Sequence, residues 1–409
     1  MELSFLGGAA EVGRSALLVD DRLLIDYGMQ SSTPPRYPVG AVDPEAVIVS
    51  HGHLDHVGAI PSLLAGDARP SIHWTPPTRD LSQLLAKDTL KLHGSTPAAP
   101  FTETQLQRVG EVSTTHGYRE PFEVAGYTVS LFNAGHIPGS AHVLVDDGKT
   151  RLLYTGDFHT VDQRLVAGST ARPQADIVVT ESTYADVDHP DRASVERQFV
   201  EMVRRTIRQG GTVVVPAFAI GRTQEILLIC AAHDIDCYVD GMGTTVNEIL
   251  RRYPGFVRNP DALTRAISRA RVVDGRDGQR ERLATEPTVI VTTSGMLGGG
   301  PAQTYVPAIA DHPGNTVALT GYQVAGTPGR ELLDTGRAEL GGRVRPVSAT
   351  VEQFDFSAHA DRHGLRGFLD EYREATIHVV HGDATEQFAA ELRADGFDAR
   401  APNVGETVG

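Results

Sequence analysis

The chain has little cysteine, little lysine and no long apolar run, and each shortage excludes a class of protein. Its 409 residues include two cysteines, Cys230 and Cys237, which form no CxxC pair, so the sequence predicts neither a disulfide scaffold nor a thiolate zinc site. No apolar stretch approaches the roughly 18 residues of a membrane-spanning helix. The N-terminus also lacks a basic flank followed by a long apolar segment. We therefore expect a soluble, unprocessed, cytoplasmic protein with no membrane partner.

Arginine carries almost all of the positive charge, because Lys87, Lys91 and Lys149 are the only lysines. The formal net charge is −15. Acidic, lysine-poor surfaces suit solubility in high salt, so a salt-adapted host is a hypothesis. An acidic balance ordinarily argues against a polyanionic substrate, since contacts from lysine and arginine to phosphate dominate nucleic-acid affinity. Bound metal ions and a local arginine cluster would reverse that argument within a cleft, so net charge does not decide the substrate.

The most informative segment is AVIVSHGHLDHVGAIP, Ala46 to Pro61, where an apolar run leads into three histidines and an aspartate. Alternate residues share a side while the chain stays extended, so His51 and His53 can point in one direction. Asp55 and His56, at the start of the next turn, can then face a second position. Neutral imidazole and carboxylate suit Zn²⁺. The spacing predicts two metals rather than one; the alternative is a polar loop whose histidines only hydrogen-bond the backbone.

The first half of the chain has the pattern of short strands separated by turns, and the second half alternates strands and helices. The predicted strands are Leu3 to Leu6, Ser15 to Val19, Leu23 to Asp26, Ala46 to Ser50, Tyr127 to Asn133, His142 to Val145, Arg151 to Thr155, Thr212 to Val215 and Ile377 to Val380. The predicted helices are Ile60 to Leu64, Arg79 to His93, Arg192 to Arg208, Gly221 to His233, Arg362 to Tyr372 and Thr385 to Ala394. The alternation that begins near Asp186 predicts an α/β unit with a parallel sheet. The polar stretch Arg276 to Glu286 is predicted to be the most mobile loop.

Further potential ligands or acid–base groups lie in turns or just after predicted strands, where sheet-based sites usually form. They are His136 in NAGHIPGSAH, Asp157 in LLYTGDF, Glu181 in VVTESTY, His359 in FSAHAD and His381 in VVHGD. Singly, each has an ordinary explanation, because a strand-end aspartate often forms a turn and a strand-end histidine often caps a loop. Their joint occurrence with the histidine-rich segment favours a metal centre.

Together these motifs resemble those of the metallo-β-lactamase superfamily, and specifically its β-CASP branch of nucleic-acid-processing nucleases. HGHLDH is similar to the metal signature of the superfamily. The third and fourth motifs correspond to His136 and Asp157, and the three β-CASP motifs to Glu181, His359 and His381. Lesser matches are LIDYG, PAFAIGRTQE, SGM and GYQVAGTPGR, so the resemblance covers nearly the whole chain. It implies an α/β fold in which an αββα metallo-β-lactamase sandwich, residues 1–185 and 354–409, is interrupted by an α/β β-CASP domain at residues 186–353.

The resemblance also implies a centre with two zinc ions per chain. One zinc would be held by His51, His53 and His136, the other by Asp55, His56 and His381, and Asp157 would bridge both. Asp55 would orient the attacking hydroxide and take its proton. His359 would protonate the leaving 3′-oxygen while Glu181 holds its imidazole. The products would be a 5′-phosphate and a 3′-hydroxyl.

Other residues have weaker assignments. Arg222, Ser294, Tyr322 and Ser357 are candidate RNA contacts, because guanidinium forks match phosphate and tyrosine can stack on a base. Their alternative role is packing within the β-CASP domain. Asp26 either hydrogen-bonds a ligand imidazole or only forms a strand-end turn.

The last motif bears on the substrate, because the resemblance associates a histidine such as His381 with RNA and an apolar residue with DNA. FLGGAAEVGRS and GDFH are similar to archaeal and bacterial relatives of the eukaryotic cleavage and polyadenylation specificity factor endonuclease. We expect the KH-less archaeal type of its subunit 2, with ribonuclease J as the competitor. The two competing types are expected to differ in their extra domains. Bacterial ribonuclease J usually has an additional C-terminal domain, and the KH-containing archaeal relatives carry their KH domains before the catalytic core.

The sequence therefore predicts a zinc-dependent ribonuclease acting on single-stranded RNA in processing, 3′-end formation or decay. The alternatives are a catalytically silent RNA-binding subunit, a β-CASP DNA nuclease, and a thioester or lactam hydrolase, the last of which leaves Glu181 and His359 without a role. Endonuclease and 5′-to-3′ exonuclease activity both stay open, because they use the same metal centre. A homodimer and an association with RNA-processing, exosome or ribosome machinery stay open as well.

Overall fold

The computed structural model describes residues 1–32, 34–94 and 99–409, and the chain divides into two compact units. The first unit comprises Met1–Asp162, Ala167–Asp188 and Ala358–Gly409, and the second comprises Gln163–Val166 and His189–Ser357. The predicted domain boundaries after residues 185 and 353 stay a prediction. No helix among the described residues is both long and apolar enough to cross a membrane.

The N-terminal part of the first unit is rich in short strands. These are β1 (Leu3–Gly7), β2 (Ala16–Val19), β3 (Leu23–Ile25), β4 (Ala46–Ile48), β5 (Ser71–Trp74), β6 (Ser113–Thr115), β7 (Phe122–Val124), β8 (Tyr127–Asn133), β9 (Ala141–Asp146), β10 (Arg151–Tyr154) and β11 (Ile177–Thr180). Its helices are α1 (Leu54–Val57), α2 (Pro76–His93) and α3 (Glu103–Glu111), with a 3₁₀ helix at Ile60–Leu64.

The second unit alternates helices and strands. In chain order they are α4 (Arg192–Arg208), β12 (Val213–Pro216), α5 (Arg222–Ala232), β13 (Cys237–Asp240), α6 (Gly243–Arg251), a 3₁₀ helix at Pro254–Phe256, α7 (Pro260–Arg269), β14 (Arg271–Val272), α8 (Gln279–Leu283), β15 (Val289–Thr292), α9 (Ala302–Ile309), β16 (Thr316–Leu319), α10 (Pro328–Thr335), β17 (Arg337–Leu340), β18 (Arg343–Pro346) and β19 (Thr350–Gln353). The chain then completes the first unit with α11 (Arg362–Leu369), a 3₁₀ helix at Asp370–Tyr372, β20 (Thr376–Val379), α12 (Thr385–Ala394), β21 (Asp398–Arg400) and β22 (Thr407–Val408).

Helix starts in the first unit follow local sequence chemistry. Thr75 precedes two prolines, and its hydroxyl accepts the backbone N–H of Thr78 at the start of α2. Proline suits a first helical turn, where its missing N–H is not needed. Thr102 and Gln105 form a reciprocal capping box at the start of α3. The Thr75 cap and the two prolines explain why α2 begins three residues earlier than the apolar pattern predicts.

The first unit is a sandwich of two seven-stranded sheets, ordered β22-β1-β2-β3-β4-β5-β6 and β21-β20-β11-β10-β9-β8-β7. Residues along each strand alternate between its two faces. Leu23 and Ile25 of β3 therefore lie in the core that also contains Leu152 and Tyr154 of β10. Leu24 of β3 faces the opposite way, into a different apolar cluster.

Helices cover the outer faces of both sheets. Val57, Ile60 and Val109 pack in the cluster outside the first sheet, and Phe368 and Phe388 pack in the cluster outside the second. The order of layers is helix, sheet, sheet, helix. The predicted αββα sandwich is confirmed.

Parallel strands in each sheet of the first unit fix where the predicted site residues lie. Strands β3, β4, β5 and β6 are mutually parallel in the first sheet, and β10, β11, β20 and β21 are parallel in the second. The carboxyl ends of parallel strands lie at one edge of a sheet, which is where α/β proteins usually bind ligands. Every predicted metal ligand that follows β4, β10 or β20 is therefore delivered to such an edge.

The second unit contains a six-stranded parallel sheet ordered β14-β13-β15-β12-β16-β19, and a separate hairpin of β17 and β18. Val214, Ile290 and Val317, one from each central strand, are fully buried with Tyr305 and Val306 of α9. The predicted α/β unit with a parallel sheet is confirmed.

Most predicted elements agree with the structure to within three residues at each end, and β8, α4 and α12 agree exactly. The loop predicted at Arg276 to Glu286 is wrong in part, because it contains α8. Arg280 of α8 donates two hydrogen bonds, of 2.6 and 3.0 Å, to the buried carboxylate of Asp240. A tertiary ion pair holds this polar segment, which is a contact that local sequence cannot reveal.

Candidate metal centre

Histidines and carboxylates gather at the carboxyl ends of the parallel strands of the first unit. His51, His53, Asp55 and His56 follow β4, with Asp55 and His56 on the single turn of α1. The other sheet contributes Asp157 after β10, Glu181 after β11 and His381 after β20, while His136 follows β8. Residues that are far apart in the chain therefore lie together because the strands preceding them are neighbours.

The first group consists of His51, His53, His136 and Asp157, and one potential ligand atom from each lies within 4.8 Å of the others. His51 Nε2 is 3.5 Å from Asp157 Oδ2. His53 Nδ1 is 2.9 Å from His136 Nε2. Three imidazoles and one carboxylate oxygen are a ligand set typical of Zn²⁺.

The second group consists of Asp55, His56, Asp157 and His381, again within 4.8 Å of one another. Asp157 Oδ1 is 3.4 Å from His56 Nε2 and 3.3 Å from His381 Nδ1. Asp55 Oδ2 is 3.3 Å from His381 Nε2. The two groups share Asp157, with its Oδ2 toward the first group and its Oδ1 toward the second.

Hydrogen bonds from outside the cluster orient two of the imidazoles. Asp26 Oδ2 lies 2.6 Å from His56 Nδ1 and also accepts the hydroxyls of Ser50 and Tyr154. The carbonyl oxygen of Ala358 lies 2.8 Å from His136 Nδ1. Each bond holds Nδ1 as the protonated nitrogen and directs Nε2 into the cluster, which is the usual arrangement of metal-binding histidines. Asp26 also has a positive φ of 58°, so it both forms the strand-end turn and contacts an imidazole.

Burial keeps the imidazoles of the first group neutral. It lowers the pKa of His51 and His136 well below the ordinary value, and it lowers the pKa of His53 as well. In the second group burial acts in the same direction on His56, but Asp157 and Asp26 outweigh it and raise its pKa. Burial raises the pKa of Asp157, yet the neighbouring His381 and His56 lower it well below the ordinary value. The carboxylates of this cluster thus require positive charge nearby.

The residues fit a bound metal cation. Within the described residues, His51 Nε2 and Asp157 Oδ1 are buried and make no hydrogen bond, although a buried polar atom without a partner costs about 1–3 kcal/mol. A cation would satisfy both lone pairs. Neutral imidazole nitrogens are also the form in which histidine binds metals.

His359 and Glu181 form a pair beside this cluster. His359 Nδ1 lies 2.9 Å from Glu181 Oε2 and 3.1 Å from Oε1. Burial lowers the pKa of His359, but the Glu181 carboxylate outweighs it and raises the pKa to about 9. Glu181 is fixed in turn, because it accepts the backbone N–H of Phe158 and the hydroxyl of Thr183. The pair is therefore a positioned imidazole that can carry a proton.

The predicted RNA contacts all belong to the second unit and follow strand ends there. Arg222 begins α5 after β12, Ser294 follows β15, Tyr322 follows β16 and Ser357 follows β19. These four strands are consecutive in the sheet. Tyr322 is half exposed, whereas Ser357 is buried and its carbonyl oxygen accepts a bond from Arg192.

Sequence reasoning missed several residues that hold the cluster. Ser50, Tyr154 and Thr183 each donate a hydroxyl to Asp26 or Glu181, and the Ala358 carbonyl accepts from His136. A hydroxyl next to a predicted ligand, such as Ser50, carries a weak local signal. Tyr154 and Ala358 carry none, because their partners lie more than a hundred residues away in the chain.

Three family models match this chain. The Metallo-beta-lactamase superfamily model matches residues 11–216, the Beta-Casp domain model residues 223–332, and the model of the Zn-dependent metallo-hydrolase RNA specificity domain residues 344–402. Together they account for most of the sequence.

Several archaeal proteins are similar to this chain over most or all of its length. The chain is 34% identical to RNase aCSPSF2 of Saccharolobus solfataricus over 99% of this chain and 85% of that protein. It is 32% identical to Probable RNase MJ4 of Methanocaldococcus jannaschii over the full length of both. It is 31% identical to Transcription termination factor FttA of Pyrococcus horikoshii, over 100% of this chain and 71% of that protein.

A crystal structure of a protein of unknown function from Enterococcus faecalis V583 has the same overall fold. It aligns with a TM-score of 0.60 over 100% of this chain and 99% of that one, at 13% identity. At that identity the likeness concerns the fold alone.

Proposed function

This chain belongs to the metallo-β-lactamase superfamily, as a member with a β-CASP domain and an RNA specificity domain, and we propose that it is a zinc-dependent ribonuclease. The single observation that carries the proposal is the pair of ligand groups that share Asp157, with the His359–Glu181 pair beside them. A carboxylate shared by two ligand groups would place two metal ions close together, as in the two-metal sites of phosphatases and nucleases.

The ligand assignment follows the two groups. His51, His53 and His136 would hold one zinc ion, and Asp55, His56 and His381 would hold a second. Asp157 would contribute Oδ2 to the first and Oδ1 to the second. When bound, two such ions neutralise charge on an in-line phosphoryl transition state and lower the pKa of water.

The side chains of the chain itself would move the protons. Asp55 is the partly exposed carboxylate of the cluster, so it can orient an attacking water and accept its proton. His359 would donate its proton to the leaving 3′-oxygen, because Glu181 raises its pKa and holds its ring in one orientation. The products would carry a 5′-phosphate and a 3′-hydroxyl.

RNA is the proposed substrate for two reasons. The relatives include proteins named as RNases, and one matched model describes an RNA specificity domain. We propose Arg222, Ser294, Tyr322 and Ser357 as RNA contacts in a β-CASP domain inserted at residues 186–353. A cytoplasmic location, and a homodimer or an association with RNA-processing machinery, stay predictions of the sequence.

The first experiment incubates the zinc-loaded protein with 5′-labelled linear RNA, with circular RNA and with single-stranded DNA of the same sequence. We expect cleavage of RNA, products with 5′-phosphates, and two zinc ions per chain by elemental analysis. Cutting of the circle would establish endonuclease activity. RNA that is bound but never cut would instead support a silent RNA-binding subunit, and preferential cutting of DNA would contradict the choice of substrate.

The second experiment tests the proton donor separately from the metals. His359→Ala is expected to retain zinc and to slow cleavage by about 10² to 10⁴, the range of general acid catalysis. RNA with a sulfur in place of the leaving 3′-oxygen needs little protonation, so it should be cut almost equally by the variant and the wild type. Loss of zinc in the variant, or an equal defect on both substrates, would contradict the role of His359.

A further inference from the structure

Among the described phenylalanine, tyrosine and tryptophan residues, the only exposed rings lie at one edge of the sheet in the second unit. Phe218 is 40% exposed and Tyr322 is 50% exposed, and the other described residues of these three types are buried or half-buried. Phe218 follows β12 and Tyr322 follows β16, and these two strands are hydrogen-bonded neighbours. Contiguous exposed apolar surface often marks an interaction site.

The topology of the sheet places this pair at a preferred ligand position. After β12 the chain passes by α5 to β13 on one side of the sheet order, whereas after β16 it passes by α10 to β19 on the other side. Adjacent strands whose connections lead in opposite directions leave a crevice beyond their carboxyl ends. Ligands of open parallel sheets bind in such crevices.

Two glycines lie beside the ring of Phe218. A Cβ atom at Gly295 would lie 3.4 Å from the ring carbon Cδ2, and one at Gly321 would lie 3.9 Å from Cε2. Because both neighbours are glycines, no side chain from either covers the ring. Space beside an exposed ring is what a flat nucleobase needs.

Side-chain amides hold these loops in place. Gln323, which is 2% exposed, donates to the carbonyl oxygens of Gly295 and Gly321 at 3.2 and 3.3 Å. Gln353 donates to the same Gly321 oxygen at 3.0 Å. The loops after β15 and β16 are thereby tied together, so the backbone that carries Tyr322 and flanks Phe218 is positioned before any ligand arrives. Binding to a positioned surface avoids the entropy cost of ordering it.

We infer that Phe218 and Tyr322 form a surface on which unpaired bases of single-stranded RNA stack. The inference rests on the proposed function for the identity of the ligand and adds Phe218 as a residue that selects unpaired RNA. The rings contact bases rather than phosphates, so this surface recognises single strands without a strong preference of sequence.

The test measures the affinity of the full-length Asp157→Asn protein for fluorescent single-stranded RNA, so that the RNA is not cut during the titration. Phe218→Leu and Tyr322→Leu keep an apolar side chain but remove the ring, and each should raise Kd about 5- to 100-fold, the range for loss of one stacked base. Phe218→Trp restores a ring and should restore affinity. Val344→Ala, at a 60% exposed apolar position of β18, is the matched control and should change Kd by less than about twofold.

A second measurement separates stacking from folding. RNA with abasic sites should bind the Phe218→Leu variant and the parent protein equally, because no base is present to stack. An unchanged Kd for Phe218→Leu on ordinary RNA, or an equal loss on abasic RNA, would overturn the stacking surface.

Cleavage by the wild-type protein distinguishes this inference from the proposed function. If the wild-type protein cuts RNA and the leucine variants bind RNA normally, the stacking surface is overturned and the proposed ribonuclease activity stands. If the wild-type protein binds RNA through the rings but does not cut it, the ribonuclease activity is overturned and the stacking surface stands. Failure of every form to bind RNA would overturn both.

Discussion

Two buried aspartates, one in each unit, lie at the carboxyl ends of parallel strands and have opposite surroundings. Asp240, the last residue of β13, accepts two hydrogen bonds from Arg280 and one from the Tyr305 hydroxyl at 2.8 Å. Asp157, after β10, has an Oδ1 that makes no hydrogen bond among the described residues. Its neighbours are imidazoles of the metal cluster.

The difference shows how a structural carboxylate can be told from a functional one. Both aspartates are about 2% exposed, so burial alone does not distinguish them. A buried carboxylate is stable when it is fully hydrogen-bonded, as Asp240 is. One whose hydrogen bonds are left incomplete beside potential metal ligands can be completed by a cation, and Asp157 is of that kind.

The largest expected effect is on catalysis by Asp157→Asn. The change removes the charge shared by both ligand groups, so we expect activity on RNA to fall by about 10⁴, the order seen when one member of a catalytic unit is lost. Zinc content should fall as well. Asp43→Asn, at an exposed position, is the control for loss of one negative charge. Normal activity of the Asp157 variant would contradict the assignment.

The complementary change in the second unit, Asp240→Asn, should destabilise without affecting the metals. It leaves Arg280 partly buried without its counter-ion, which typically costs about 3–5 kcal/mol of unfolding free energy. Hydrogen exchange of β13 and β15, followed by mass spectrometry, would measure the loss in that unit. Zinc content should equal that of the wild type. Replacing Arg280 with Met in the same chain should recover part of the loss, since no unpaired charge then remains.

The third comparison of the two units uses the dependence of stability on pH. Burial lowers the pKa of His142 to about 4, and the pKa values of His73 and His378, also in the first unit, are lowered to about 4. An unfolded histidine binds a proton below about pH 6.5, so the stability contributed by neutral His142 is complete above that pH. It is lost as the pH falls from 6.5 to 4, by about 3 kcal/mol for this residue.

The single tryptophan, Trp74, lies buried in the first unit, so its fluorescence during urea unfolding measures this loss. Asn in place of His142 can still donate to the Thr155 carbonyl and accept from the Ser169 hydroxyl, as the imidazole does at 2.8 and 2.7 Å. His142→Asn should therefore flatten the dependence on pH. An equally steep dependence in the variant would show that other groups cause the acid sensitivity.

The smallest expected effect concerns the turn before Asp157. Gly156 has a φ of +54°, and a Cβ there would lie 2.9 Å from Cβ of Ser50. Gly156→Ala should cost about 1–3 kcal/mol through backbone strain and this contact. Gly148 has a φ of +84° but open space around it. The free-energy cost of Gly148→Ala therefore measures backbone strain alone, without a steric contact. Equal costs at the two positions would show that the Ser50 contact is unimportant.

The sequence predicted the fold and the metal cluster well where the signal was local or where motifs were dense. The segment from His51 to His56 carries four of the clustered side chains within six residues. Strands β3 and β4 are visible in the sequence as short apolar runs bounded by turns, because both of their faces are buried. His136, Asp157 and His381 could be assigned to the cluster only through the resemblance, because the strands that bring them together are paired across long sequence distances.

What the sequence could not reveal depends on contacts between distant residues. PAFAIGRTQE drew attention to Arg222, yet Phe218 in the same motif had no signal until its exposure was known. Asp157 and Asp240 both follow or end apolar strands, and only their partners distinguish them. Helix α8 forms in a polar segment because Arg280 reaches Asp240.

Asp26 has a consequence for how the protein matures. Its carboxylate accepts bonds from Ser50 and His56 after β4 of one sheet and from Tyr154 of β10 in the other. The ligands themselves also come from both sheets. A chain whose sheets are misaligned cannot assemble the cluster, so metal uptake would report correct packing of the two sheets. The zinc content of a preparation then measures the fraction of correctly packed molecules as much as it measures metal supply.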